Sequence, residues 1–170
     1  NDELYNTIEK NIFFLKKEVL KNSISEFNIV EKYSVKKIYP RELNINIKPT
    51  KFIAKISNKD DVLVGSNGKL ISNKDFKKKL PSIFGKFNSN KFLELKIHLE
   101  RSGFNFEDLK SLIYFSSGRW DILTNDNVLI KLPNKKIYES LHLAKKILND
   151  DNFKMNKFID LRISNQIIVK

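Results

Sequence analysis

The sequence contains no cysteine, which excludes disulfides and thiolate-bound metals outright. It has only five glycines, and Gly65, Gly68, Gly85, Gly103 and Gly118 compose neither a phosphate-cradling loop nor a nucleophile elbow. Histidine is limited to His98 and His142, each inside an expected helix and without a second ligand at metal spacing. No apolar run approaches the roughly 20 residues needed to cross a bilayer. No signal-peptide pattern opens the chain either. Arginine is scarce, at positions 41, 101, 119 and 162, and tryptophan occurs once, as Trp120.

What is present describes a folded chain. Hydrophobic residues make up 41% of the 170, with 13 phenylalanines and no low-complexity tract, enough for one good core or two small ones. Lysine and arginine number 32 against 20 acids, a net charge of +12. That balance attracts nucleic acid or an anionic membrane surface. The lysines are scattered, however, and Lys77-Lys78-Lys79 is the only triple. Without arginines interleaved among exposed aromatics, the pattern reads as a solvated basic surface and no nucleic-acid partner is expected. The first residue is Asn1, not Met, so an upstream segment is expected to have been removed, one able to include a membrane anchor.

Along the chain, residues 2–10 predict a short helix, followed by the cluster Ile12-Phe13-Phe14-Leu15. Residues 16–27 predict a second helix with Val19, Leu20, Ser23, Ile24 and Phe27 on one face. Two strands, 29–37 and 43–48, flank a corner at Pro40, and Pro49 ends the unit. Beyond residue 51 the pattern turns mainly to strands. Residues 51–57 pair with 62–64, and Asn67-Gly68 signals a type I′ hairpin into Leu70-Ile71. Residues 80–85 read as a loop with Ile83 and Phe84 buried. Residues 91–102 fit helix or strand periodicity. Length, Ser89 and Asn90 as caps, and Gly103 beyond the end favour helix. Strands follow at 109–115, 119–123 and 128–132. A helix over 136–149 buries Ile137, Leu141, Ala144 and Leu148, and a ribbon of 158–163 and 166–170 turns at Ser164-Asn165. The fold class expected is α+β, a small α/β domain over 1–50 and a mainly antiparallel β domain with two helices over 51–170.

No catalytic constellation emerges. Asp60-Asp61, Glu107-Asp108 and Asp150-Asp151 fall in expected turns or helix starts, where carboxylates cap amides. Adjacency in sequence supplies neither a cleft nor a displaced pKa. Trp120 alternates with Ile122 and reads as core. The chain therefore looks like a scaffold whose product is contact, needing no cofactor and no metal.

Specific stretches resemble the periplasmic region of the bacterial cell division protein family FtsQ/DivIB. Val35-Lys36-Lys37-Ile38-Tyr39-Pro40-Arg41-Glu42-Leu43 with Ile45 and Ile47 resembles the hairpin of that family's POTRA domain. Val64-Gly65-Ser66-Asn67-Gly68-Lys69-Leu70 and Leu80-Pro81-Ser82-Ile83-Phe84-Gly85 resemble two motifs of its β domain. Arg119-Trp120-Asp121-Ile122, Val128 to Pro133, and Ile159-Asp160-Leu161-Arg162 resemble three more, in the family's order. Two departures stand out. Pro49, Phe52, Ala54 and Ile56 occupy places where the family carries a motif ending in tryptophan, and the strand that opens a POTRA domain is missing.

The resemblance implies a non-enzymatic divisome scaffold linking early and late division proteins. It would sit on the periplasmic face of the inner membrane at the septum, as a single-pass protein anchored upstream of this chain. FtsB-like and FtsL-like proteins are the implied partners, the FtsB-like one adding a β-strand at the C-terminal edge. The residues implied there are Asp160, Leu161, Arg162, Ile163, Ser164, Ile167, Ile168 and Val169. Tyr33, Val35, Lys37 and Tyr39 form an implied POTRA face for recruiting divisome proteins. A POTRA-containing outer-membrane assembly factor and a basic nucleic-acid-binding module are the alternative readings.

Overall fold

A computed structural model describes residues 17–153, 155–163 and 166–170. The expected helix over 2–10 and the cluster at 12–15 lie outside the described residues. The chain divides into two compact units between Lys51 and Phe52.

In the first unit, α1 (Lys17–Ser25) buries Leu20 and Ile24, one helical turn apart. Val19 and Phe27, expected on the same face, are exposed. Strands β1 (Val30–Ile38) and β2 (Glu42–Pro49) form an antiparallel hairpin around the Pro40 corner. Tyr33 pairs with Ile47, Val35 with Ile45 and Lys37 with Leu43, so these side chains share one face of the ribbon. Tyr33, Val35 and Lys37 are half-buried there, whereas Lys32, Ser34 and Lys36 face solvent. Pro49 is the last residue of β2 itself, not a stop placed after it.

The second unit is built on one mixed, mostly antiparallel sheet of nine strands. They are β3 (Phe52–Ile56), β4 (Lys59–Gly65), β5 (Leu70–Ser72), β6 (Ser82–Phe84), β7 (Leu109–Tyr114), β8 (Trp120–Thr124), β9 (Leu129–Lys131), β10 (Phe158–Asp160) and β11 (Ile168–Val169). Their spatial order is β11-β10-β9-β8-β7-β6-β3-β4-β5. Among the described residues, two α-helices, α2 (Ser89–Arg101) and α3 (Ile137–Leu148), accompany the sheet.

The register explains why the sheet holds together. Ile56, Ile83, Leu112, Ile122, Ile130, Ile159 and Val169 are consecutive partners across seven strands, one continuous apolar row. From Ile83 to Ile159 that row is fully buried. It shares a core with Phe92, Leu95 and Leu99 of α2 and Leu141, Ala144 and Ile147 of α3. Each of these side chains larger than alanine contributes roughly 1.5–3 kcal/mol by leaving water. Trp120 is buried as expected, with Tyr114 at 4.7 Å and Phe87 at 5.9 Å between ring centroids.

Several expectations are corrected. Residues 82–84 are not loop: β6 lies parallel to both β3 and β7 in mid-sheet, and Phe84 is exposed while Ile83 is buried. Three residues are too short to show a period, which is why the strand did not announce itself. The Asn67-Gly68 hairpin exists, but its turn is not type I′. Gly68 takes φ 76° while Asn67 keeps a negative φ. The Gly68 amide donates to the Gly65 carbonyl at 2.9 Å, the pattern of a three-residue loop closed by a left-handed glycine. Helix α2 is capped by Asn88, whose side chain accepts from the Lys91 amide at 2.9 Å, so Ser89 and Asn90 lie inside it. In α3 Ile147 replaces Leu148 as the buried residue of the last turn, and Ile137 is half-buried. Asp60-Asp61 belong to β4, not to a turn.

Candidate partner-binding edge

The last two strands are shorter than the sequence suggests. Strand β10 ends at Asp160 and β11 holds only Ile168 and Val169, so Leu161, Arg162, Ile163 and Ile167 sit in the connecting segment. Ser164 lies outside the described residues. Leu161 is buried in the core, and its amide donates to the Lys131 carbonyl at 3.0 Å, extending the parallel pairing with β9 by one bond.

Backbone geometry at β11 follows from one pair of bonds. The Phe158 amide donates to the Lys170 carbonyl at 3.0 Å, and the Lys170 amide returns to Phe158 at 3.1 Å. Hydrogen-bonded and non-hydrogen-bonded pairs alternate along an antiparallel ladder. The next pair, Ile159 and Val169, is therefore non-bonded, and Asp160 with Ile168 is bonded again. Ile168 and Lys170 thus turn their amides inward to β10, and Val169 turns its amide and carbonyl away from the sheet. Strand β11 is terminal in the sheet order, so no strand among the described residues covers that outer side.

Next to the row of isoleucines runs a polar one. Asp121, Lys131, Asp160 and Ile168 are successive partners across β8, β9, β10 and β11. An arginine two positions from each aspartate lies on the same face. Arg119 Nε donates to Asp121 Oδ1 at 3.1 Å. Arg162 grips Asp160 more completely: Nε donates to Oδ1 at 2.8 Å and Oδ2 at 3.0 Å, and Nη2 donates to Oδ2 at 2.6 Å. Its backbone amide reaches Oδ1 at 3.1 Å. The result is an alternating network of five charges ending beside β11.

Its two carboxyls titrate in opposite senses. Hydrogen bonds from Arg162 hold Asp160 below the ordinary carboxylate range, outweighing its desolvation. Burial pushes Asp121 up, with Arg119 and Lys131 opposing incompletely. The same Asp160 contact raises the Arg162 guanidinium.

Side chains around the edge are apolar and accessible. Ile163, Ile167 and Ile168 are 56%, 47% and 40% exposed, whereas Val169 packs against the core. A groove of about 500 Å³ opens between the start of α3 and the connecting segment. Lys135, Lys136 and Arg162 line it beside Leu143, Ile163 and Ile167, with Glu139 as its one acid among the described lining residues. The edge therefore offers unpaired backbone, exposed isoleucine and two lysines, Lys135 and Lys136, beside the Asp160-bound Arg162.

Of the residues expected at the edge, all except Ser164 fall in this region. Asp160 and Leu161 are buried, positioning the others instead of presenting themselves. Sequence reasoning missed Asp121 and Lys131 as members of the same network. The signal available was the repeated spacing of arginine and aspartate two apart, on either side of a lysine strand. In the first unit, Tyr39 is exposed at the hairpin end, while Tyr33, Val35 and Lys37 occupy the half-buried face.

Elsewhere the chemistry is sparse. No group of three metal-ligating side chains occurs among the described residues, and no helix among them is long and apolar enough to cross a membrane. His98 Nδ1 is buried without a hydrogen-bond partner, and His142 stacks on Tyr138. Glu107 pairs with Lys78 at 2.9 Å.

Residues 53–162 match the family model described as Cell division protein FtsQ/DivIB, C-terminal. No curated protein matches the chain.

Proposed function

The chain belongs to the FtsQ/DivIB family of cell division proteins, and from that premise we propose that it is a non-enzymatic scaffold of the divisome. In this reading it links early and late division proteins on the periplasmic face of the inner membrane, at the septum, tethered by a single apolar span upstream. An FtsB-like protein, in company with an FtsL-like one, adds a strand to the outer side of β11. The first unit is a POTRA-like domain, and its hairpin meets the recruiting partners.

One observation carries the proposal. Strand β11 ends the sheet with the Val169 amide and carbonyl directed outward, and three exposed isoleucines lie alongside. Strand addition takes affinity from such main-chain groups and selectivity from alternate side chains. The cations of the adjoining groove favour a partner segment bearing carboxylates, which sets orientation and association rate more than affinity.

Replacing Val169 by proline removes an outward amide and leaves the inward bonds of Ile168 and Lys170 in place. Affinity for the cognate FtsB-like periplasmic segment, measured by calorimetry, should fall at least about tenfold, the equivalent of one lost hydrogen bond to a desolvated group. Unchanged affinity in a folded Val169→Pro chain would remove the strand-addition model.

A further inference from the structure

The far side of the second unit, near the opposite end of its sheet, carries a feature the division reading does not use. After β5 the chain crosses back over the sheet to Pro81, and this crossing contains Lys74, Lys77, Lys78 and Lys79. Lys55 of β3 belongs to the same cavity, which measures about 360 Å³. Lys55 is the register partner of Leu63 on β4, so both side chains project from the same sheet face. Ala54 and Val64, the buried residues of the main core, point to the other face.

The cavity thus has a cationic rim and an apolar floor. Leu63 is almost fully buried beneath the crossing, and Phe76 and Leu80 complete the floor. Phe76 is fixed there by an edge-to-face contact with Phe52, ring centroids 5.1 Å apart. Lys78 spends its charge on Glu107. Lys74, Lys77 and Lys79 have no carboxylate partner among the described residues, and all three are exposed. Four lysines are thus held on one short crossing whose own acid is Asp75.

We infer that this recess binds the phosphodiester headgroup of an anionic phospholipid, so that the second unit has a membrane-facing side distinct from its partner edge. A bare phosphate would need only the rim. The apolar floor beside it fits a ligand in which phosphate adjoins hydrocarbon, and the net charge of +12 gives the whole chain the attraction that brings it to such a surface.

The test is co-sedimentation of the intact chain with phosphatidylcholine vesicles, plain or with about a third phosphatidylglycerol, at about 0.1 M salt, where the screening length is about 10 Å. The chain should bind the anionic vesicles and not the neutral ones. The triple change Lys74→Glu, Lys77→Glu and Lys79→Glu should weaken partition by about tenfold or more, since surface lysines contribute additively near an anionic bilayer. A control with the same charge change on the exposed strand face of the first unit, Lys32→Glu, Lys36→Glu and Lys48→Glu, should lose far less. A milder triple change of the same pocket lysines to glutamine guards against a folding defect, and it should also weaken binding. Equal losses in pocket and control variants, or equal binding to neutral vesicles, would overturn the assignment. Calorimetric binding of inorganic phosphate as tight as that of a soluble short-chain phosphatidylglycerol would assign the pocket to free phosphate and overturn it too.

Discussion

Removing either member of the Asp160–Arg162 pair should destabilise the second unit, and the two removals should differ in a direction the structure dictates. The side chain of Asp160 is 6% exposed, whereas that of Arg162 is 40% exposed. Arg162→Met withdraws three charge-assisted contacts from a buried carboxylate, leaving it only the backbone amide of residue 162 and the facing Lys131. A stranded buried charge of this kind costs about 3 kcal/mol. Asp160→Asn instead frees a guanidinium that is already partly hydrated, and the asparagine oxygen still accepts from the backbone, so the loss is about 1–1.5 kcal/mol. Urea unfolding followed by tryptophan fluorescence measures both, because Trp120 is the lone tryptophan and is buried in this unit. The Arg162→Met deficit should shrink as the pH falls into the acid range, because the orphaned, desolvated carboxylate of the variant protonates before the arginine-bound one of the parent does. An equal or larger loss in Asp160→Asn would refute the reasoning, as would a deficit that does not vary with pH.

Asp121 and Asp160 should shape acid stability with opposite signs. The depressed pKa of Asp160 stabilises above the unfolded value near ~3.9 and that contribution is lost as pH falls through the folded value, so Asp160→Asn should flatten the acid-side decline. The raised pKa of Asp121 contributes stability below the unfolded value that is lost as pH rises through the folded one, so Asp121→Asn should steepen the decline. Melting temperatures across the acid range decide both. Gly85→Ala should prevent folding of the second unit or cost several kcal/mol, because Gly85 has φ 93° and a Cβ there would collide with the Tyr114 carbonyl oxygen. A near-native melt in that variant would contradict the packing of β6 on β7. Ile130→Ala, in the middle of the isoleucine row, should cost about 3 kcal/mol by leaving a cavity, measured by the same urea titration.

Long apolar alternation was legible in the sequence. Leu43 and Ile45, Trp120 and Ile122, and the stripe of Leu141 and Ala144 all reached the positions their periods demand, whereas Ile47, next in the alternation of β2, is exposed. Short or register-dependent features were not. Strand β6 has three residues, and only its parallel neighbours make it a strand. The turn at Asn67-Gly68 had the expected composition, yet one extra loop residue changed the required φ values. At the edge, Asp160 and Arg162 were visible as neighbours. Their coupling through Lys131 to Asp121 depends on which strands lie adjacent, and the repeated spacing of arginine and aspartate hints at the pairs without giving that adjacency. The shortness of β11 has the same origin, since Ile163 and Ile167 have the composition of strand residues but no strand opposite them among the described residues.

The account depends on the outer side of β11 being open backbone, and amide hydrogen exchange at single-residue resolution reads that directly. In the free chain, Val169 should exchange fast, while Ile168 and Lys170, bonded to β10, exchange slowly. Saturation with an FtsB-like segment should slow Val169 and leave its two neighbours nearly unchanged. A Val169 amide already protected in the free chain, or one unaffected by bound partner, would contradict it.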